Sequence, residues 1–319
     1  MRKSMKKAVF ISLIISTAFL SACNSKSIDV KEPKFVSEGS QISYDQFRDE
    51  LTAAAEKIDF KKEGVIDSKE MTYETALSNK SSVTRNAKKI RTANIGTKAK
   101  GNTQFDAKKL VYISKNEQTY LTNIKDEIAS ESMDSSVEAE SGFALVNRKT
   151  NYASVSLDNK AMTAVTINTY ADFESAKEVF NAQYKSVLRT RFSLSFTNIL
   201  SVTPADPDFD SYKFFKNGSV YTYTYEFTDT DPLLSVLEGE VANQNYHIYC
   251  KGQVELSESK QVAIYYSSSS LHLEYTKDFE EYRANDIFDE EVKSSYTYTI
   301  NSKKVSLKDI DLDKYLIIA

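Results

Sequence analysis

The chain has no Trp, four Pro, eight Gly, two Cys and two His in 319 residues. Each shortage excludes something. So little Pro and Gly rules out a collagen-like or low-complexity Gly/Pro chain. The scattered glycines form neither a phosphate-cradling loop nor a GxSxG nucleophile elbow. Two histidines leave little of the usual acid–base chemistry near neutral pH. HExxH and CxxC are absent, so the common zinc and redox motifs are missing as well. No metal site, cofactor or catalytic residue is assigned on this basis, and the chain is read as a non-enzyme.

The N-terminus carries the most specific pattern. "MRKSMKKAVFISLIISTAFLSAC" opens with Arg2, Lys3, Lys6 and Lys7, followed by an apolar run over 8–19. A run of about a dozen residues is too short to span roughly 30 Å of hydrocarbon as a helix. Leu20-Ser21-Ala22-Cys23 then resembles the lipobox of bacterial prolipoproteins. The resemblance implies a lipoprotein signal peptide over 1–22, cleavage after Ala22 and lipid on the Cys23 thiol. A bacterial, extracytoplasmic, lipid-anchored location follows from it. Each buried methylene contributes roughly 0.8 kcal/mol and one acyl chain anchors only marginally, so a diacyl group is expected. An ordinary secretory signal with a coincidental Cys is the competing reading. With Cys23 acylated, Cys250 stands alone, and the fold must hold by burial without an internal disulfide.

Charge narrows the partners. Removing residues 1–22 takes four bases and no acid, which moves the formal charge from −4 to about −8. An acidic surface argues against nucleic acid and against an electrostatic grip on anionic lipid. The membrane partner would be engaged through the acyl chains alone.

Residues 23–40 are polar and lack periodicity, and are read as a lipidated Cys followed by a tether. The remainder, 41–319, is read as one domain. Ser43-Tyr44-Asp45-Gln46 has capping-box spacing, and Tyr44, Phe47, Leu51, Ala54, Ala55 and Ile58 form an apolar stripe that ends before Gly64. From about 70 to 168 the pattern has period two. "KLVYIS" and "TYLTNI" flank "KNEQ" as a predicted hairpin, and "FALVN", "YASVSL" and "MTAVTI" continue a meander. The acidic run 126–140 reads as a loop. A second helix is predicted over 170–188, with Phe173, Ala176, Phe180, Tyr184 and Val187 on its stripe. "RFSLSFTNILSV" is compatible with strand or helix, and Pro204 and Pro207 force a loop. Strands are predicted at 211–216, 219–228, 245–256, 260–275 and 293–301. "DPLLSVLEG" interrupts them as a short helix with Asp231 as cap and Gly239 as stop. The expected fold class is α+β: a large twisted antiparallel sheet, half-barrel-like, with an N-terminal helix and a mid-chain helical layer on one face.

Polar chemistry is sparse. His247 and Cys250 in "HIYC" fall on opposite faces of a strand, which makes a poor ligand pair. His272 and Glu274 share a face and read as a surface pair. Acid clusters stand at 206–210, 229–231 and 289–291; the first could present carboxylates to calcium but lacks the EF-hand spacing and its terminal Glu, and reads as a solvated loop.

The aromatic strands are what remain. In "VYTYTYEF", Tyr221, Tyr223, Tyr225 and Phe227 point one way and Thr222, Thr224 and Glu226 the other. Tyr296 and Tyr298 in "SYTYTI" repeat the pattern. A dry core favours Leu, Ile and Val, because each buried phenol hydroxyl needs a partner. These six rings therefore suit a cavity that is apolar in the middle and wet at its edge, while packing beneath helices as plain core stays open. The order of elements behind a lipobox resembles the LolA/LppX-like lipoproteins. Those are half-barrels whose concave face and helical lid enclose acyl chains. The resemblance implies an apolar or lipid ligand held between sheet and helices. A solid-cored surface module for a protein partner and a carboxylate-based hydrolase are the alternatives.

Overall fold

The computed structural model describes residues 27–57, 69–106, 108–126, 130–147, 151–182, 211–229, 241–257, 259–302, 305–308 and 310–318. Cys23, Ala22, the acid cluster 206–210, the ambiguous "RFSLSFTNILSV" and the predicted helix at "DPLLSVLEG" lie outside them.

The chain begins with a short strand, β1 (Ser40–Ile42), and a helix, α1 (Tyr44–Lys57). A meander follows: β2 (Lys69–Arg85), β3 (Lys88–Asp106), β4 (Val111–Lys125), β5 (Ser130–Asn147), β6 (Tyr152–Asp158) and β7 (Thr163–Tyr170). Helical residues 173–182, here α2, precede a second meander. That one comprises β8 (Tyr212–Asn217), β9 (Val220–Asp229), β10 (Val241–Leu256), β11 (Lys260–Tyr275) and β12 (Ile287–Ser302). A final β13 (Leu316–Ile318) pairs parallel to β7. Strand β12 pairs antiparallel with β2 and fuses the two meanders. One 13-stranded sheet results, ordered β1-β8-β9-β10-β11-β12-β2-β3-β4-β5-β6-β7-β13.

The expected α+β class is therefore corrected. Among the described residues 68% lie in strands and 11% in helices, a mostly-β fold without a helical layer. The physical reason is that most of the sheet is polar enough to face water and needs no layer. Helices sit only where the sheet is apolar. The Ser43 hydroxyl accepts from the Gln46 amide at 3.2 Å and starts α1, whose Phe47 and Leu51 are fully buried. Phe47 meets Phe214 of β8 at 4.9 Å and Tyr221 of β9 at 6.3 Å. Asp172 caps α2 by accepting from the Ser175 amide at 2.9 Å. Phe180 then packs on Phe143 at 5.3 Å and Phe105 at 5.9 Å. Phe173, placed on the predicted stripe, is 39% exposed instead.

Two local expectations also change. "KNEQ" is no turn: β4 runs straight through it, with Lys115 opposite Glu140 and Gln118 opposite Val137. The acidic run read as a loop is strand from Ser130 onward. Both faces of this part are solvated, so the hydrophobic alternation that marks a half-buried strand is missing while the ladder persists.

Residues 27–39, read from composition as part of a tether, lie along the sheet face opposite α1. Val30 is buried. Gln253 accepts from the Val36 amide at 2.8 Å, and donates to the Val36 carbonyl at 3.0 Å and to Thr222 Oγ1 at 2.7 Å. Lys251 pairs with Glu38 and stands 4.8 Å from the Phe35 ring centre. Thr222, expected on a wet face, is fully buried beneath this segment.

Candidate ligand-binding face

Register collects the aromatic side chains. Tyr223 lies opposite Gly252, which lies opposite Tyr265, then Tyr296, then Thr75. The neighbouring row runs Tyr221, Val254, Ala263, Tyr298, Tyr73 and Gly101. Directly opposed residues in an antiparallel ladder point to the same face, so both rows join the face that carries α1. The rings then touch in two groups. Tyr212 meets Tyr225 at 4.4 Å, Tyr265 stacks on Tyr296 at 5.1 Å, Tyr296 meets Tyr298 at 5.6 Å, and Tyr298 stacks on Tyr73 at 5.8 Å.

Two glycines make room for these rings. A Cβ on Gly252 would stand 2.2 Å from Tyr223 Cε1, and one on Gly101 would stand 2.3 Å from Tyr73 Cε1. Each ring thus lies flat across the backbone of the next strand, a form of aromatic cover for glycine in sheets.

Burial is graded along the strands. Tyr221 and Tyr223 are buried against α1 and belong to the core, together with Val254, Ala263 and Ile300. Tyr225, Phe227, Tyr265, Tyr296 and Tyr298 are half-buried. At the far end of the same face Tyr282 stacks on Tyr275 at 4.4 Å. That cover is held by Arg85, which donates to both carboxylate oxygens of the buried Asp286 at 2.8 and 2.7 Å. The exposed aromatic band therefore lies between two covered ends.

The band is electrically neutral. Burial holds the Tyr223 and Tyr265 hydroxyls well above the ordinary phenol range, so both keep their protons. Tyr265 donates towards Cys250 Sγ at 3.7 Å, and Tyr73 donates to Asn116 Oδ1 at 3.0 Å. Burial also raises the Cys250 thiol, which makes it a poor nucleophile.

All six rings named from the sequence thus share one face, but only Tyr225, Phe227, Tyr296 and Tyr298 reach its surface. Tyr265 and Tyr73 complete the band and were missed. Tyr73 stands in a period-two run, "MTYET", and Tyr265 in an apolar run, "AIYYS", but only the pairing register places them beside the others.

Other candidates fall elsewhere. His247 and Cys250 point to opposite faces; His247 pairs with Glu226 at 3.2 Å. His272 Nδ1 lies 2.7 Å from Asp289 and its Nε2 lies 3.4 Å from Glu274. The Asp289 hydrogen bond, more than any other contact, raises the His272 pKa. That ring borders an open hollow of about 430 Å³ on the opposite face, with Lys80, Asn245 and Glu291. Among the described residues no group of three or more His, Cys, Asp or Glu could hold a metal ion. None of their helices is long and apolar enough to cross a membrane.

No family model matches the chain, and no curated protein matches its sequence. Among solved structures, the outer membrane protein OprG from Pseudomonas aeruginosa is 8% identical. The match covers 73% of this chain and 95% of OprG at a TM-score of 0.17. The translocator domain of the autotransporter NalP from Neisseria meningitidis is 9% identical over 80% of this chain and 94% of that one, at a TM-score of 0.11. Likeness at this level carries no argument about fold, location or function.

Proposed function

We propose that the protein is a lipid-anchored, extracytoplasmic binding protein of the bacterial cell envelope that holds an apolar ligand on its aromatic face. The anchor rests on the basic and apolar leader followed by Leu20-Ser21-Ala22-Cys23. The ligand reading rests on one observation: two groups of half-buried rings, Tyr225 with Phe227 and Tyr265 with Tyr296 and Tyr298, flank Cys250 between two covered ends of one sheet face. Six residues along β9 and four strand spacings from β9 to β2 give a field of about 20 Å by 19 Å.

Binding would be by shape and apolar contact, without covalent chemistry. The ligand would lie on the open aromatic face between the two covered ends rather than beneath a helical layer. Native mass spectrometry of the unacylated domain (from Asn24 onward), purified from its own host, is expected to show a co-purifying apolar compound. A clean apo mass, together with crosslinking that recovers one protein partner through Tyr225 or Tyr298, would replace this reading by a protein-interaction surface. For the anchor, Cys23→Ser is expected to release the protein into the soluble fraction. Retention on washed membranes would rule lipidation out.

A further inference from the structure

The aromatic band is part of a larger field distinguished by the absence of charge. From the row of Phe227, Ile248, Ser269, Val292, Asn79, Ile95, Thr122 and Met133 to the row of Gln261, Ile300, Met71, Thr103 and Ser114, every residue on the helix-bearing face of β9–β12 and β2–β5 is uncharged. The opposite face of the same strands is rich in charge. Lys98 pairs with Glu74 at 3.2 Å, Lys100 with Glu117 at 2.8 Å, and Lys115 with Glu140 at 2.9 Å. Lys251, Glu255 and Lys293 stand on that face as well.

Water exposure does not account for the asymmetry. In β5 both faces are exposed over 134–139, yet Asp134 and Glu138 stand on one face while Ser135, Val137 and Ala139 stand on the other. Val137 is 57% exposed, where a charge would cost nothing. The two parts of the field also differ in kind. Across β9–β12 and β2 it is mainly rings and aliphatic groups; across β3–β5 it is mainly Thr, Ser, Asn and Gln. Just beyond the field, one row towards the far end, the same face carries Asp229, Glu290 and Glu131.

Resting on the reading above, we infer that the ligand is an amphiphile with an uncharged, hydroxyl-bearing head, and that anionic amphiphiles are excluded. The apolar part lies on Tyr225, Tyr265, Tyr296 and Tyr298. The head lies over Thr97, Gln118 and Ser135, which can donate and accept hydrogen bonds but cannot neutralise an ion. An anionic head placed there loses hydration without gaining a counter-charge, and meets carboxylates at the fringe.

The test uses the chain from Asn24 onward and two probes with one acyl chain length, a monoacylglycerol and a lysophosphatidylglycerol. Binding is followed by tyrosine emission, which no Trp obscures. The monoacylglycerol is expected to bind at least tenfold more tightly. Equal or tighter binding of the anionic probe would overturn the inference while leaving the apolar-ligand reading intact. Binding of neither probe would overturn both. Ser294→Glu, which sets a carboxylate into the field, is expected to weaken monoacylglycerol binding at least tenfold. Ser295→Glu on the opposite face is expected to leave it unchanged, and equal effects of the two would count against the inference. Unaltered circular dichroism is the check on folding, and the two-probe comparison on the native sequence stands whatever the variants do.

Discussion

Strands β9–β12 and strands β4–β5 belong to one ladder and are hydrogen-bonded in the same way, yet they are stabilised differently. In the first region one face carries Tyr223, Val254, Ala263 and Ile300 in a dry cluster under α1, and the other is partly sealed by residues 27–39. In the second, over 134–139, both faces meet water and cross-strand ion pairs such as Lys115–Glu140 decorate one of them. Apolar burial contributes on the order of 25 cal/mol per Å², whereas exposed pairs contribute about 0–1 kcal/mol each. The first region is therefore expected to carry the stability, and the second to be held in strand form by its neighbours and by its continuity with β2 and β3.

The largest test of that contrast is Phe47→Ala against Val137→Ala. Phe47 is fully buried between α1 and β8, so its truncation is expected to cost about 3–5 kcal/mol in urea unfolding. Val137 is exposed, and its truncation is expected to stay within about 0.5 kcal/mol. Comparable costs would mean that the two regions share one core. Next comes Arg85→Ala, which takes both guanidinium hydrogen bonds from the buried Asp286 carboxylate, leaves it the Arg283 amide, and should cost about 2–3 kcal/mol. The Arg85 hydrogen bond holds the Asp286 carboxyl below its ordinary value of 3.8. Its contribution is therefore present above that value and is lost as pH falls through the depressed folded value. Arg85→Ala should accordingly flatten the acid limb of a stability–pH curve.

The two glycines give a smaller, paired effect. Gly252→Ala drives a Cβ into the buried Tyr223 ring and is expected to cost about 1–3 kcal/mol. Gly101→Ala meets Tyr73 and Asn116 Oδ1, side chains that are only half-buried, and should cost less. If Gly101→Ala proved the worse of the two, the assignment of a rigid end and a looser band would fail.

What could be read from the sequence follows the same division. Where one face is apolar, as in "VYTYTYEF", alternation placed β9 within a residue or two and put its rings on one face. Both helices are legible from their stripes, Phe47 and Leu51 in the first and Ala176 and Phe180 in the second, with the Ser43 capping box marking the start of the first. Where both faces are wet, as in "KNEQ" and 130–140, no alternation exists, so β4 was split and β5 was shortened. The site was legible as separate rows only. Tyr265 joins Tyr296 through the register of neighbouring strands β11 and β12, but that Tyr73 joins Tyr298 depends on β12 pairing with β2, a contact between residues more than 200 apart in the chain, for which no local signal exists.

The smallest expected effect is a pH dependence confined to the first region. His272 of β11 lies between Asp289 of β12 and Glu274, whereas β4–β5 contain no histidine. The hydrogen bond with Asp289 is the main cause that raises the His272 pKa above 6.5, so the folded state favours the protonated ring. That contribution is fully present below about pH 6.5 and is lost as pH rises through the raised folded value. The ring is 37% exposed, so solvent screening keeps the effect small. Urea midpoints of the native sequence should therefore fall slightly between about pH 6 and pH 8, and His272→Gln should remove that slope. A slope that survives His272→Gln would remove the β11–β12 contact as the source of the pH dependence.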